Sequence, residues 1–592
     1  MIFGKTINKY YLRYGLYFIV GIAALITVDL FQLEIPRISK ELVDTLEAYV
    51  LAGNTDAGFL IDIVWRLLFI TIFIVLGRFF WRFGIIGASR RIDYDLRNEM
   101  FSHSTKLSNR YYSEKKVGGL MAHFTNDLEA VRRAIGPGLI MFVDALFLGS
   151  LTFFRMFQLN VRMTMILVLP MIIITVLGLS LGTKMRKRFK ESQKAFEDLS
   201  DFTQESFSGI SVIKAFVKER TEIKEFLKSN QNAKDKNIAF VRIATILQVL
   251  VQTIVSLVFV LIIAYGAFLI ESTRHLGAER FTLGDLVAFI SYFGMLIWPM
   301  MALAMIINVR SQGKASLERI ENILNEPIDI KDEDVVEVNE IKGNIEFKNL
   351  DFKYPDGDEK VLKNVSFSIK AGETVGILGR TGSGKTSIVD LLLRIYNIEA
   401  NQLFIDGIDI MRLPFRKVRE AIGYVPQDGF LFSDTIRNNI TLGIEQDNIH
   451  MDKIESIAKL SDVHDNIIQF KQGYETIIGE RGVTLSGGQK QRVSIARALA
   501  KEPPILIMDD SVSAVDTSTE EKILSNLRKI RKGKTTIMIA HRISTVKDAD
   551  KIIVIDNGEV LDVGNHEELE ERCELYKDMV RRQKLADVVE VN

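Results

Sequence analysis

Residues 379–386 read Gly-Arg-Thr-Gly-Ser-Gly-Lys-Thr, the complete pattern G-x-x-x-x-G-K-[ST] of a phosphate-binding loop. The apolar run 373–378 before it predicts a buried strand, and the run 387–394 after it is apolar at helical spacing. A strand, a glycine-rich turn and a helix N-terminus form an anion cradle, because backbone N–H groups point into the turn and the helix dipole favours negative charge. The residues that we expect around a bound nucleotide are Gly379, Arg380, Thr381, Gly382, Ser383, Gly384, Lys385, Thr386 and Ser387.

Two side chains of this loop have predicted roles in binding a nucleotide. Lys385 is expected to reach the β- and γ-phosphates, and the Thr386 hydroxyl is expected to bind Mg²⁺. The loop therefore predicts a bound nucleotide with β- and γ-phosphates, together with Mg²⁺.

Composition separates this chain from nucleic-acid-binding proteins and from ordinary soluble enzymes. Its 592 residues require two or more domains, and its 75 basic and 75 acidic residues give no net charge. A neutral chain lacks the basic surface on which nucleic-acid affinity rests, so we expect no nucleic acid partner. The hydrophobic content of 47% indicates a membrane protein. The single cysteine, Cys573, excludes an intrachain disulfide and predicts a reduced cytosolic thiol.

Six apolar blocks in the first half are long enough to cross a membrane, which takes about 20 helical residues. They are residues 14–33, 60–83, 135–156, 163–181, 246–270 and 286–309. The second block is the weakest, because charged residues crowd its ends. The first block is too long for the apolar region of a cleavable signal and lacks a cleavage site. The pattern predicts six transmembrane helices.

Basic residues in the connections predict the orientation in the cell (cytoplasmic) membrane. The links between spans two and three and between spans four and five are long and rich in Lys and Arg, whereas the link between spans one and two is acidic. Both termini are therefore expected in the cytoplasm. Helical periodicity predicts that the two basic links project into the cytosol. Segments 125–132 and 202–210 are candidate short transverse helices that contact a cytosolic domain, with solvated helical loops as the alternative.

The second half has the pattern of an α/β nucleotide-binding domain. Residues 316–324 predict an amphipathic helix, and an acidic linker with Pro327 follows it. Beyond Gly343, short strands alternate with helices. The predicted strands are 345–347, 365–369, 403–405, 505–508, 536–540 and 552–555. The predicted domains are 1–315 (transmembrane), 316–341 (linker) and 342–592 (nucleotide-binding).

Two further motifs follow the phosphate-binding loop. The apolar strand 505–508 ends in Asp509 and Asp510, and Asp509 fits the Walker B role of binding Mg²⁺. Upstream, the sequence Leu-Ser-Gly-Gly-Gln at 485–489 supplies a hydroxyl and bare N–H groups at a helix start, which suits a phosphate. Its four polar and glycine positions are Ser486, Gly487, Gly488 and Gln489.

These motifs strongly resemble those of ATP-binding cassette (ABC) transporters, and the resemblance covers essentially the whole chain. It implies an ABC exporter half-transporter: an α-helical six-span transmembrane domain followed by a P-loop α/β nucleotide-binding domain. By resemblance, residues 486–489 contact ATP in trans, on the opposite cassette. The other matching positions are Tyr354 (stacking on adenine), Gln427 (γ-phosphate, Mg²⁺ and the membrane domain), Glu480 (the helical loops), Asp516 (the opposite cassette) and His541 (γ-phosphate). The resemblance also identifies segments 125–132 and 202–210 with the family's coupling helices.

One position departs from the family pattern. The family usually has Glu directly after the Walker B Asp, where it activates water, and this chain has Asp510. Its carboxylate is withdrawn by about 1.5 Å, one carbon–carbon bond, and a misplacement of about 1 Å can cost about 100-fold in rate. We therefore expect ATP to bind but to be hydrolysed slowly at this chain's own site. The chain looks closest to the degenerate-site subunit of bacterial heterodimeric multidrug exporters. A homodimer that tolerates Asp as a slow base is the alternative.

The membrane half gives weaker indications of the cargo. Asp29 and Asp144 lie inside spans one and three, where they serve either cargo or proton contact or an interhelical hydrogen bond. Span six is rich in aromatic and Met side chains, which suit a promiscuous apolar pocket or ordinary packing. The expected cargo is a hydrophobic or amphipathic small molecule or lipid, in contact with membrane lipid. A lipid flippase, an importer and an ATP-gated channel or regulatory subunit are the other functions considered.

Overall fold

The structure is a computed structural model that describes residues 4–51, 58–115, 117–275, 280–444, 450–479 and 485–591. The chain forms two compact units. The first comprises residues 1–102 and 118–325, and the second comprises residues 103–117 and 326–592. The predicted limit of the transmembrane domain at residue 315 falls inside a helix that continues to Leu324.

The first unit is helical throughout the part that the structure describes. Three π-helical turns, Arg82–Ile86, His123–Asp127 and Asp144–Leu148, interrupt its helices. The helices are α1 (Lys5–Arg13), α2 (Gly15–Leu51), α3 (Gly58–Trp81), α4 (Gly87–Ser104), α5 (Asn109–Glu114), α6 (Val117–Ala122), α7 (Leu128–Ile135), α8 (Pro137–Val143), α9 (Gly149–Leu159), α10 (Val161–Ser208), α11 (Ile210–Ala215), α12 (Glu219–Ser272) and α13 (Leu283–Leu324), of which α5 belongs to the second unit.

Within the described ranges, five helical stretches are long and apolar enough to cross a membrane. They are Gly15–Leu51, Gly58–Ser104, Gly118–Leu159, Glu219–Ser272 and Leu283–Leu324, and they contain five of the six predicted spans. The remaining predicted span, 163–181, lies within the continuous helix α10, whose qualifying apolar part is the shorter stretch Val161–Pro170. Exposed apolar side chains line these helices, as expected for surfaces that face lipid.

The prediction of a short transverse helix at residues 125–132 is wrong. These residues belong to the His123–Asp127 turn and to helix α7, whose apolar face is buried against helix α13. Leu128 and Val131 are buried in the same cluster as Leu317 and Ile320. The short helix of this link is instead α5, at its tip. In the second link, 202–210 covers the end of helix α10 and the break at Gly209, and the separate short helix α11 begins at Ile210.

The second unit is an α/β domain with two sheets. The larger sheet has the strand order β10-β9-β3-β8-β7-β6, and the smaller has the order β2-β1-β4-β5. The strands are β1 (Ile345–Phe352), β2 (Leu362–Ile369), β3 (Thr374–Gly379), β4 (Leu403–Ile405), β5 (Ile408–Asp409), β6 (Ile422–Val425), β7 (Ile505–Asp509), β8 (Thr535–Ala540), β9 (Lys551–Asp556) and β10 (Glu559–Gly564). Its helices are α14 (Lys385–Leu392), α15 (Phe415–Ala421), α16 (Ile436–Thr441), α17 (Met451–Leu460), α18 (His464–Ile468), α19 (Gly487–Ala500), α20 (Thr517–Ile530), α21 (Ile543–Val546), α22 (His566–Arg572) and α23 (Glu574–Val591).

The register of the large sheet brings the sequence motifs to one edge. Strands β9, β3, β8, β7 and β6 are parallel neighbours. Leu378 pairs with Ala540, Asp509 pairs with Ile539, and Val425 pairs with Met508. The segments that follow β3, β8, β7 and β6 therefore leave the sheet at the same edge, which is where open α/β sheets bind ligands. All seven predicted strands are present, whereas β5, β6 and β10 were not predicted.

Candidate functional site

The phosphate-binding loop has the open backbone that an anion cradle requires. Gly382 and Gly384 have φ of +80° and +95°, a backbone conformation that residues with side chains rarely adopt. A Cβ at Gly379 would lie 2.1 Å from the Ile555 carbonyl oxygen, so this position admits only glycine. Ser383 Oγ is buried and has no hydrogen-bond partner among the described residues. A buried, unpaired hydroxyl in such a loop fits a phosphate oxygen.

Lys385 is the first residue of helix α14 and is buried inside the loop. Its Nζ donates to the carbonyl oxygens of Gly379 at 3.0 Å and of Arg380 at 2.8 Å. Burial lowers the pKa of Lys385, while the nearby acids Asp509 and Asp510 oppose this shift. The backbone therefore fixes the ammonium group inside the loop, where a bound phosphate would restore the counter-charge that burial removes.

The two residues expected to bind Mg²⁺ lie side by side. Burial raises the pKa of the Asp509 carboxyl group, and the Thr386 side chain lies close enough to oppose that shift. A divalent cation at this point would compensate the buried charge, so the pair fits Mg²⁺. Asp510 follows at φ +44°, and its N–H donates to the Ile539 carbonyl oxygen at 2.9 Å. That bond ties the Asp510 backbone to strand β8.

His541 and Gln427 reach the same edge from the neighbouring strands. His541 directly follows β8. Partial burial and the positive charge of Lys385 lower its pKa below 6.5, against the effect of Asp510. The imidazole is therefore neutral at pH 7 and able to accept or donate one hydrogen bond. Gln427 follows β6 with an exposed side chain, and its carbonyl oxygen accepts from Gln491 Nε2 at 3.4 Å.

Tyr354 is anchored to the first turn of helix α14. Its hydroxyl lies 2.8 Å from Ser387 Oγ and donates to Asp390 Oδ2 at 3.4 Å. Burial raises the pKa of Tyr354 to about 12 and that of Asp390 to about 6. The Tyr354 ring meets Tyr396 edge-on, with ring centroids 5.1 Å apart. Tyr396 in turn lies close enough to the side chain of Asn109, in helix α5 at the loop tip, for that side chain to oppose the rise that burial causes in the pKa of Tyr396.

The segment 485–489 is built as a helix N-terminus. Ser486 caps helix α19 by accepting from the Gln489 N–H at 3.3 Å, while the Gln489 side chain accepts from the Ser486 N–H at 3.0 Å. This reciprocal arrangement is a capping box. At Gly488 a Cβ would lie 3.0 Å from the Ala514 carbonyl oxygen, so glycine permits the close approach of the loop before Asp516. Gly487 has open space around it.

Asp516 caps helix α20. Its Oδ1 accepts from the Thr519 N–H at 3.0 Å and from the Ser518 hydroxyl at 2.6 Å. These bonds, the Ser518 bond foremost, lower the pKa of Asp516. Glu480 lies outside the described residues. The sequence reading missed Asp390, Asn109 and Tyr396, because none of them belongs to a motif that spacing reveals.

The two acidic side chains considered inside the spans, Asp29 and Asp144, are buried. Trp298 Nε1 donates to Asp144 Oδ2 at 2.9 Å, which joins helix α13 to the π-helical turn before α9. An interhelical hydrogen bond was one of the two roles considered for Asp144. Asp29 is also buried, and its Oδ2 has no hydrogen-bond partner in the described part of the chain. In span six, Phe289, Tyr292 and Phe293 are buried in a core cluster, whereas Trp298, Met301 and Met305 are exposed.

Comparison with known proteins agrees with this architecture in both halves. Residues 18–300 match the ABC transporter transmembrane region, and residues 362–513 match the ABC transporter family. The chain is 35% identical to the probable multidrug resistance ABC transporter ATP-binding/permease protein YheI of Bacillus subtilis (strain 168), over 98% of this chain and 97% of the relative. It is 35% identical to the multidrug resistance-like ATP-binding protein MdlA of Escherichia coli (strain K12), over 98% and 96%.

A solved structure has the same fold. The structure of a bacterial Atm1-family ABC exporter with ATP bound aligns with a TM-score of 0.72 and 28% identity, and the alignment covers 98% of both chains. The chain therefore belongs to the ABC transporters, as an ATPase-coupled exporter that fuses a helical transmembrane domain to an ATP-binding domain and is homologous to multidrug exporters.

Proposed function

We propose that this chain is one half of a heterodimeric exporter of hydrophobic or amphipathic compounds in the cytoplasmic membrane. Its own Walker site holds ATP with Mg²⁺ and hydrolyses it slowly. Its residues 486–489 complete the fast site of a second half-transporter subunit. The relatives whose names specify multidrug resistance support the cargo class.

Asp510 is the observation that carries the proposal. The position after Asp509 is where the family's Glu activates water, and the Asp carboxylate is about 1.5 Å short of that place. The backbone cannot move forward to compensate, because the Asp510 N–H is bonded to the Ile539 carbonyl oxygen at 2.9 Å and Ser513 Oγ donates to the Asp510 carbonyl oxygen at 2.8 Å. A base held about 1 Å out of place loses about 100-fold in rate.

ATP binding does not depend on that base. Lys385 is held inside the loop, Thr386 lies next to Asp509, and the Ser383 hydroxyl, which has no partner among the described residues, could bond to a phosphate oxygen. Mg²⁺ would neutralise phosphate charge and polarise the terminal phosphoryl group. The chain's residues therefore bind and orient ATP while the attacking water lacks a close base, which makes the site a long-lived ATP holder.

A dimer of this chain with itself would have two such slow sites. An exporter needs at least one site that turns over, so the partner must supply a Glu at the position equivalent to Asp510. The capping box of Ser486 and Gln489 keeps this chain's own segment 485–489 ordered as a helix start, with N–H groups available for a phosphate on the partner. The intact segment 485–489 and the short side chain of Asp510 together favour a dimer of two different subunits over a homodimer.

We assign the coupling between the cassettes and the membrane domain to the tips of the two long cytoplasmic links. Helix α11 and its flanks expose apolar side chains, namely Phe207, Val212, Phe216 and Val217. An exposed apolar tip on a cytoplasmic loop is typical of a docking surface, and the partner's cassette is the proposed recipient. Helix α5 belongs to this chain's own cassette unit, where Ser108 Oγ donates to Asp329 Oδ2 at 2.8 Å and Arg110 pairs with the same carboxylate at 3.2 Å.

The test compares the chain alone with the complex purified from its native membrane. We expect negligible ATP turnover from the chain alone and robust turnover from the complex. Removing the partner's Glu should abolish turnover, whereas Asp510→Ala should reduce it only modestly. Robust turnover by the chain alone that is lost in Asp510→Ala would contradict the heterodimer and support the slow homodimer. Movement of labelled lipid without movement of amphipathic dyes in vesicles would favour a flippase instead.

A further inference from the structure

A buried carboxylate outside the nucleotide site joins two of the segments that carry site residues. Glu520 lies in the first turn of helix α20 and is only 3% exposed. Its N–H donates to the Asp516 carbonyl oxygen at 2.9 Å, so it follows the movement of the Asp516 loop directly. A buried carboxylate is costly unless it is paired and hydrogen-bonded, so its partners are informative.

Both partners of Glu520 come from the segment that follows His541. Thr545, in helix α21, donates its hydroxyl to Glu520 Oε1 at 2.6 Å, and both side chains are buried. Arg542, next to His541, places Nη1 at 3.7 Å from Glu520 Oε2. Oε2 is buried and has no hydrogen bond among the described residues. The carboxylate therefore makes one close bond and one loose ion pair to the same short segment.

The two contacts differ in what movement they permit. The Thr545 bond is already at its normal length. The Arg542 contact is about 0.9 Å longer than a charge-assisted hydrogen bond of about 2.8 Å. Arg542 directly follows His541, so a full hydrogen bond from Arg542 to Glu520 would restrict the backbone next to the imidazole, while helix α21 stays in place. The imidazole lies close enough to Lys385 and Asp510 for their charges to affect its pKa.

The far side of helix α21 is fixed independently. The Ile543 N–H donates to Gln583 Oε1 of helix α23 at 2.6 Å, and Val546 is buried in a core cluster with Tyr576 and Val580. Because both ends of helix α21 are held, backbone movement is confined to the residues between Ala540 and Ile543. Glu520 limits that movement through its charged contact with Arg542.

We propose that Glu520 is a positioning residue that ties the Asp516 loop to His541. When the cassette holds ATP, Oε2 accepts a full hydrogen bond from Arg542 and fixes the imidazole toward the nucleotide. Because the Asp516 loop is expected to face the partner's cassette, Glu520 then links the state of the partner's site to ATP retention at this one. This inference rests on the proposed function, in which this chain's site is the one that retains ATP.

The test uses the complex purified through a tag on this chain, loaded with a photoreactive ATP analogue and chased with unlabelled ATP. Label on this chain is measured before the chase, as binding, and during it, as retention. Glu520→Gln keeps an acceptor for Thr545 but loses the charge that attracts Arg542. Arg542→Met removes the same pairing from an exposed side chain. We expect each to shorten retention about tenfold, as for the loss of a hydrogen bond between charged groups, and to leave initial labelling within about twofold.

Further variants separate positioning from damage to the fold. Glu521→Gln, at the exposed neighbouring position, should retain ATP as the wild type does. Combining Glu520→Gln with Arg542→Met should be no worse than the more severe single change, because both remove one interaction. Thr545→Val should shorten retention, and Thr545→Ser should restore it.

Two results of the labelling experiment overturn the proposal. One is unchanged retention in Glu520→Gln and Arg542→Met. The other is a fall in retention that is matched by an equal fall in initial labelling, since this indicates general damage. If the wild type itself releases ATP quickly, the proposal that this chain's site retains ATP is refuted. The variants are then compared by their rates of ATP turnover. Glu520→Gln should lower turnover about tenfold, and unchanged turnover would equally overturn the role of Glu520.

Discussion

Replacing Lys385 by Met tests whether the phosphate-binding loop works as its geometry indicates. Methionine has a similar length and no charge, and it suits the buried position of Lys385, which is 5% exposed. The ammonium group is held by two backbone carbonyl oxygens at 3.0 and 2.8 Å, which leaves its third proton for a phosphate oxygen. The variant therefore removes the loop's buried cation and a charge-assisted hydrogen bond to ATP.

The magnitude follows from the worth of that bond. A hydrogen bond to a charged group contributes about 1.5–3 kcal/mol, so ATP affinity should fall by about 10- to 150-fold. Stability without nucleotide should change much less. Burial lowers the pKa of Lys385, which means that the charged form is disfavoured in the empty loop. Removing the charge relieves that cost and offsets the loss of the two bonds to backbone oxygens.

Photoreactive ATP labelling of this chain across a concentration series measures the affinity, and thermal unfolding without nucleotide measures the stability. The matched control is Lys417→Met, on the exposed side of helix α15, which should change neither. Unchanged labelling of the Lys385→Met variant would refute the assigned role. A loss of labelling accompanied by a large loss of thermal stability would also contradict it, because the lysine would then be structural.

Three further changes test other parts of the structure. Folding raises the pKa of Asp390 from 3.8 to about 6, so the folded cassette favours the neutral carboxyl group and loses stability as pH rises through that interval. Asp390→Asn should therefore raise the free energy of unfolding of the nucleotide-free cassette by up to about 3 kcal/mol above pH 6 and leave it unchanged below pH 4, as measured by pulse proteolysis. Arg319→Met, which leaves the buried Asp127 without its cation, should destabilise the transmembrane unit by about 2 kcal/mol in thermal unfolding, less than for a fully buried pair because Arg319 is half exposed. Phe216→Ser at the apolar loop tip should preserve ATP labelling but abolish the response of ATP turnover to cargo, and a normal response would exclude that tip from coupling.

The candidate nucleotide site could be outlined from sequence to the extent that its residues lie in contiguous motifs. The loop 379–386 and the pair Asp509 and Asp510 are each encoded within a few residues, and the parallel sheet brings the ends of their strands to one edge. The segment 125–132 was misassigned for the opposite reason. Its helical periodicity is real, but the sequence does not show that its apolar face packs on helix α13 rather than facing a separate domain.

Contacts between distant single residues escape sequence reading altogether, and the surroundings of Tyr354 show why this matters. Tyr354, Tyr396 and Asn109 are far apart in the chain, and no motif joins them. In the structure, Asn109 lies close enough to Tyr396 to affect its pKa, and the Tyr396 ring meets the Tyr354 ring edge-on, with centroids 5.1 Å apart. The Tyr354 hydroxyl lies 2.8 Å from Ser387 Oγ in the first turn of helix α14.

Three contacts therefore connect the loop tip to the helix that begins at Lys385. All three are contacts between side chains, so a displacement of Asn109 acts on Tyr396 before it acts on the phosphate-binding loop. The phosphate cradle is instead fixed by backbone geometry, through Gly382, Gly384 and the carbonyl oxygens that hold Lys385. The two sides of the candidate site therefore differ in origin: the phosphate side is set by the local chain, and the tyrosine side includes a neighbour from helix α5.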